Sequence, residues 1–287
     1  MRPLAAPGIP ALHRIAVRSV PAGPAEFFDT VIGKTFIPRG NNYIRLRNGY
    51  HSTFDPGAYD PSGAEVALSE MRRHGYNVVR VFFNSKAMGG RPREHGLNAR
   101  YMRNVLDFLA RAAAHDVYVM ISSQWLPLNY GAAVGAGPPP ENVEGINSVF
   151  MSPGFMGSAE RFWTDVVTWI KTADRGLLST VFSYGIWNGP SFQSDEKPFS
   201  LTRGLVKPAG GGVYDMSDPD SRQAAADSSA RHWANQIGGA IKQVDPLALT
   251  AASLFTARGV GRGGYDGVQP SADSHDLAPH RFGTAAR

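Results

Sequence analysis

The chain has no cysteine among its 287 residues, which excludes disulfides, thiolate metal centres and a cysteine nucleophile. It has no stretch approaching the about 20 apolar residues that a membrane helix needs. The first twenty residues, MRPLAAPGIPALHRIAVRSV, are interrupted by proline and hold no sustained apolar core, so no secretory leader is read there. Charge is sparse as well, with 18% of residues charged and a net charge of +5. The arginines behind that excess are scattered or in small groups such as Arg72-Arg73 and Arg91-Pro92-Arg93. Such groups read as solvated surface rather than a nucleic-acid arm. The expectation is a chain with neither a nucleic-acid nor a membrane partner.

Several catalytic signatures are missing or incomplete. No G-x-S-x-G elbow occurs, so an esterase of the α/β-hydrolase type has no support. Gly259 to Gly264 satisfies G-x-G-x-x-G, but Tyr265-Asp266-Gly267 and a proline-containing loop follow where a dinucleotide site needs a helix. Asp273, His275 and Asp276 are ligand-type residues without a second cluster to complete a metal site. No cofactor and no metal are expected.

What the chain does have is 43% apolar residues, 32 glycines and 21 prolines, the composition of a globular protein with many loops. Four times a helix-like segment leads into a buried, β-rich run. Residues 61–74 carry Ala64, Ala67, Leu68 and Met71 on one face and lead into 77–83. Residues 98–115 carry Met102, Val105, Leu106, Leu109 and Ala113 and lead into 117–121. Residues 158–173 carry Phe162, Val166, Trp169 and Ile170 and lead into 180–187. Residues 220–244 carry Trp233, Ile237 and Ile241 and lead into 247–254. A further strand is expected at 35–38.

Alternating helix and buried strand predicts an α/β fold with a parallel sheet, either doubly wound or a (β/α)8 TIM barrel. Polar and aromatic residues follow successive strands: Arg39 to Tyr43, then Arg80 and Asn84, Gln124-Trp125, Asn188, and Phe255-Thr256. Barrel enzymes build their sites at strand C-termini in this way, whereas a Rossmann unit concentrates its signal after the first strand. The barrel is favoured. Only about five βα units are recognisable, and the 33 residues from Phe255 hold no convincing apolar run. The expectation is an incomplete barrel over residues 33–287, lacking about three C-terminal units of the usual eight, after an N-terminal extension at 1–32.

The segments FIPRGNNYIRL (36–46), GYNVVRVFF (75–83), QWLP (124–127), FSYGIWNGPSF (182–192) and GYDG (264–267) together resemble a cellulase-type glycoside hydrolase, nearest to glycoside hydrolase family 5. The resemblance runs from about Gly33 to Asp276. It implies a retaining (β/α)8 hydrolase with two carboxylates about 5 Å apart, one acid/base and one nucleophile. The acid/base belongs directly after Asn188, where this chain has Gly189. The nucleophile belongs to a seventh strand that the sequence does not reveal. The catalytic pair is therefore read as not intact. Asp195 and Glu196, in the loop that follows, are the nearest acids in sequence that could substitute.

The resemblance also assigns binding roles. Arg80 matches the arginine that orients the nucleophile, and Asn188 matches the asparagine that binds the sugar 2-hydroxyl. Trp125, Tyr43 and Phe192 stand where aromatic faces stack on sugar rings, with Asn42 beside them as a polar contact. The histidine that relatives often carry near the third strand is replaced by Gln124-Trp125. The implied activity is hydrolysis of O-glycosyl bonds in a β-linked oligo- or polysaccharide, of the cellulase or mannanase type, in a family commonly secreted. With Gly189 in place, little or no hydrolysis is expected. Two alternatives stand beside this: a non-catalytic carbohydrate-binding pseudoenzyme, and a gene fragment without independent function.

Overall fold

The computed structural model describes residues 11–21, 23–44, 51–89, 96–123, 125–131, 138–189 and 192–253. In chain order its elements begin with β1 (Ile15–Arg18), β2 (Glu26–Asp29), β3 (Gly40–Asn42), α1 (Pro61–Arg73), β4 (Val78–Phe82), α2 (Ser85–Met88), α3 (Ala99–Ala114) and β5 (Tyr118–Ser122). They continue with α4 (Leu128–Gly131), α5 (Asn147–Met151), α6 (Pro153–Ala173), β6 (Val181–Asn188), β7 (Leu205–Val206), β8 (Tyr214–Asp215), α7 (Pro219–Val244) and β9 (Thr250–Ser253).

Local chemistry sets most of the helix starts. Asp60, Asn98 and Asp218 cap α1, α3 and α7, each side chain accepting from backbone N–H groups of the first turn. Proline stands in the first turn of α1, α6 and α7, where its missing N–H costs nothing. On α3 the buried residues Tyr101, Met102, Val105, Leu106, Phe108, Leu109, Ala112 and Ala113 form one apolar stripe. Helix α1 gives way to Gly75 at φ +75°, a left-handed conformation that glycine adopts without strain.

Strands β3, β4, β5, β6 and β9 form one sheet in that order, every pair parallel. The order never reverses, so the sheet is wound in one direction only. A doubly wound fold would show a switch point. The helices cover one face, where Val79, Val81, Val119, Ile121, Tyr184 and Ile186 pack with Leu68, Leu109, Phe162, Trp163 and Ile237. This is the outer layer of a barrel, five strands of it within the described residues.

The N-terminal segment belongs to this architecture. β1 and β2 pair antiparallel, and Ile15, Phe27 and Phe36 pack against Val78, Tyr118 and Phe182 at the N-terminal ends of β4, β5 and β6. The hairpin therefore caps the base of the barrel's inner face. Arg14 fixes it in place through both carboxylate oxygens of Asp245 at 2.6 Å and the Leu178 carbonyl at 2.5 Å. Hydrogen bonds from Asp29 N to Lys34 O and from Phe36 N to Phe27 O run across position 32, so the chain has no structural break there.

This explains where the expected strand at 35–38 goes. Thr35 bridges back to Phe28, and Phe36 seats its ring on Tyr118 and Phe182, with centroids at 5.2 and 5.8 Å. The segment is part of the basal cap, and the first strand of the sheet is β3, starting at Gly40. Phe36 is partly buried and packs against the inner cluster of Ile15, Val78, Tyr118 and Phe182. The other expected elements are found, with α6 beginning at Pro153, five residues before the expected start, and the short elements β1, β2, α2, α4, α5, β7 and β8 were not expected. Residues 255–287, with the GYDG, G-x-G-x-x-G and Asp273–Asp276 segments, lie outside the described residues.

Candidate functional site

The C-terminal ends of β4, β5 and β6 bring together Arg80, Ser122 and Asn188. Arg80 Nε donates to Ser122 Oγ at 2.8 Å, and one terminal guanidinium nitrogen donates to Asn188 Oδ1 at 2.8 Å. The guanidinium also lies over the Phe82 ring, 4.7 Å from its centroid, a cation–π contact. Arg80 and Asn188 are 108 residues apart in the chain, and both were singled out by sequence. Ser122 was not.

Asn188 reaches this position because β6 is irregular. Gly185 pairs with Ala251, while Trp187 pairs with Ala252 and Asn188 with Ser253, so one extra residue is inserted after Gly185. Regular alternation from Gly185 would turn Trp187 inward and Asn188 outward. The bulge reverses that order. Trp187 joins Phe150 and Trp233 in the outer core, and Asn188 faces Arg80. Its N–H donates to Ser123 O at 2.8 Å.

Gly189 follows at φ +76°. In this left-handed conformation a residue with a Cβ is strained by about 1–2 kcal/mol. Glycine thus fits the backbone at this position, besides leaving the site without a carboxylate there. Neither nearby acid replaces it. Asp195 is exposed, and Glu196 accepts from Ile146 N at 2.6 Å, with its carboxylate against Gly145 (φ +57°), where a Cβ would lie 2.2 Å away. Glu196 is a brace between two loops.

The aromatic residues separate into different environments. Trp125 is 45% exposed and rests edge-on against Trp187 at 5.3 Å, leaving ring surface open to solvent at the mouth. Phe192 is 2% exposed and wedged between Phe150 and Phe199 at 5.0 and 5.2 Å, so it has no free face to offer a sugar. Tyr43 is half-buried and packs on Phe108 of α3 at 5.3 Å, on the helix side of the sheet. Its backbone N–H donates to Arg80 O at 2.8 Å. Asn42 is exposed and pairs in register with Arg80. Gln124 lies outside the described residues.

The mouth also holds polar residues that sequence reasoning passed over. Asp55, in the loop after β3, accepts from Asn84 Nδ2 at 2.8 and 3.0 Å, and Asn84 N donates to the Tyr101 hydroxyl at 2.8 Å. Burial pushes the Asp55 carboxyl upward, against the opposing pull of Asn84. His51 packs edge-on to Phe82 at 5.9 Å, and burial pushes its pKa down. No motif marks these two, because the loop that carries them is placed by Phe54, a core residue among Tyr59, Phe83, Tyr101 and Phe108. Among the described residues no three His, Asp or Glu side chains gather as a metal-ligand set.

No protein-family model matches the chain, and no curated protein matches it. Solved structures do. A β-mannanase from the blue mussel Mytilus edulis matches with a TM-score of 0.55 at 16% identity, covering 96% of this chain and 71% of that one. The exo-β-1,4-mannosidase Op5Man5 from Opitutaceae bacterium strain TAV5 matches at 0.52 and 19% identity, covering 80% and 33%. A β-1,4-D-mannanase from Cryptopygus antarcticus matches at 0.50 and 14% identity, covering 85% and 61%. The chain thus spans between a third and about seven-tenths of the length of these enzymes. At such identities the likeness is one of fold, and the fold it identifies is an incomplete (β/α)8 barrel.

Proposed function

We propose that the mouth at the C-terminal ends of β4, β5 and β6 binds β-1,4-linked gluco- or manno-oligosaccharide, and that the chain as described does not hydrolyse it. The observation that carries this reading is the hydrogen bond between Arg80 and Asn188 beside Gly189. Two residues that resemble a glycosidase's sugar-binding set meet in space, while the residue that would protonate the leaving group has no side chain. Losing a general acid alone typically costs roughly 10²–10⁴-fold in rate. Neither Asp195 nor Glu196 stands in for the acid, and the seventh strand that carries the nucleophile in the family resembled is not among the described residues.

The sugar platform in this reading is Trp125, with Asn188 and Asn42 as polar contacts. Tyr43 and Phe192 take no part in it. Titration calorimetry with mannohexaose and cellohexaose, paired with reducing-sugar release, tests both halves. Binding without release is expected. Release at rates near those of intact mannanases would overturn the inactivity, and absence of binding to either sugar would overturn the site. Trp125→Ala is expected to weaken binding about tenfold or more, as truncation of an exposed aromatic anchor does. Unchanged affinity would remove Trp125 from the platform.

Gly189→Glu alone is expected not to restore hydrolysis. The left-handed backbone at that position should also lower stability by about 1–2 kcal/mol. Thermal unfolding and release of an aryl β-mannoside's phenolate measure the two effects together. Turnover in this single variant would mean that a nucleophile is already in place.

A further inference from the structure

We infer that Ser122 and Gly185 act together as a positioning pair that fixes the plane of the Arg80 guanidinium beneath Asn188. This deepens the oligosaccharide-binding reading and rests on it for its consequence in affinity. The geometry itself stands independently. Ser122 is fully buried at the end of β5, and its Oγ takes the single hydrogen of Arg80 Nε at 2.8 Å. A guanidinium is planar, so holding Nε and one terminal nitrogen sets the orientation of the whole fork. The second of those contacts is the one to Asn188.

Gly185 is what lets the Ser122 hydroxyl sit where Arg80 needs it. The two residues are register partners in the parallel pair of β5 and β6. A Cβ on Gly185 would lie 2.7 Å from Ser122 Oγ, 3.2 Å from Ile121 O and 3.4 Å from Ser122 Cα. Two of these neighbours are backbone, and the hydroxyl would have to rotate away from its present place. Within a central, fully paired strand glycine weakens the structure, and such a glycine marks a close approach. Here the close approach is to the hydroxyl that receives Arg80. The bulge that turns Asn188 inward begins immediately after the same glycine. One short stretch of β6 therefore sets both ends of the Arg80 contact. The orientation also decides what Asn188 offers: with Oδ1 engaged by Arg80, its amide presents the Nδ2 hydrogens to the mouth.

The test follows the Arg80 Nε–H directly. In the wild-type protein its proton–nitrogen resonance is expected to be protected from solvent exchange by the buried Ser122 acceptor. Ser122→Ala and Gly185→Ala should each speed that exchange at least about tenfold. Ser122→Ala should also weaken mannohexaose or cellohexaose binding about tenfold, and should have no further effect once Arg80→Ala is present. That last comparison separates positioning from a general structural role, since a merely destabilising change would act in both backgrounds. Unchanged Nε–H exchange in Ser122→Ala overturns the inference, as does an equal loss of affinity with and without Arg80. If Gly185→Ala fails to fold, Ser122→Ala still decides. If the wild type binds neither hexaose, the exchange measurement still tests the positioning pair, and only the sugar-binding reading falls.

Discussion

Arg14→Ala is expected to lower the unfolding free energy by about 3–5 kcal/mol, the usual cost of removing one partner from a buried ion pair. Arg14 grips both oxygens of Asp245, and only 4% of the Asp245 side chain is exposed. Without the guanidinium this carboxylate is left buried and uncompensated. The substitution also frees the Leu178 carbonyl that Arg14 satisfies at the turn before β6. Three distant parts of the chain meet at this one side chain: the basal hairpin, the turn at Leu178 and the end of α7. Release of the hairpin should uncover Val78, Tyr118 and Phe182, the apolar floor of the barrel's inner face. Urea unfolding followed by circular dichroism measures the loss, and dye binding reports the exposed floor. Arg14→Lys should recover part of the stability, because it restores the charge without the two-pronged geometry. A loss below about 1 kcal/mol in Arg14→Ala would mean that Asp245 finds water or another cation, and that the pair is not the anchor of the hairpin.

The second large effect is expected from Asn147, a fully buried side chain at the start of α5. Its Nδ2 lies 2.9–3.2 Å from the carbonyls of Gln193, Glu196 and Lys197, and its Oδ1 accepts from Gln193 N at 2.9 Å. Glu196 returns the contact through Ile146 N, and Glu144 N donates to Lys197 O. The two loops that flank Asn188 are thereby locked into one wall. Asn147→Ala removes the contacts to Gln193 N and O, while Glu196 O keeps Ser200 N and Lys197 O keeps Glu144 N, so a loss of about 1–3 kcal/mol is expected. The wall should loosen as well. Amide exchange at residues 143–146 and 192–200 should rise by orders of magnitude relative to the strands, and oligosaccharide affinity should fall with it. Normal protection in both loops would show that the packing of Phe150, Phe192 and Phe199 holds the wall unaided.

Helices α1, α3 and α7 were legible nearly to the residue because caps, prolines and an apolar face all point the same way. Strands β4, β5 and β6 were legible because a strand buried on both faces reads as a continuous apolar run. Their winding into a barrel was inferred from the polar residues at their ends. The structure decides it through a sheet order that never turns back.

The misread residues share one cause. Phe36, Tyr43 and Phe192 are aromatic residues near polar motifs, and a sequence does not say which side of a sheet or turn a ring will take. Phe36 went to the basal cap, Tyr43 to the helix layer and Phe192 to the core beneath the loop wall. Trp125 is 45% exposed, with the buried Trp187 beside it.

From its sequence alone the chain determined the order of its four long helices and the strands that follow them, its lack of cysteine chemistry, and the absence of a carboxylate directly after Asn188. Those follow from residue type and local periodicity, which need no partner in space. Only the tertiary structure decided that Arg80 and Asn188 touch, that Ser122 stands between their strands, and that Gly189 occupies a left-handed backbone. The reason is physical: the bulge after Gly185 reverses which side chains face inward. A bulge is set by how neighbouring strands register, not by the residues of one strand.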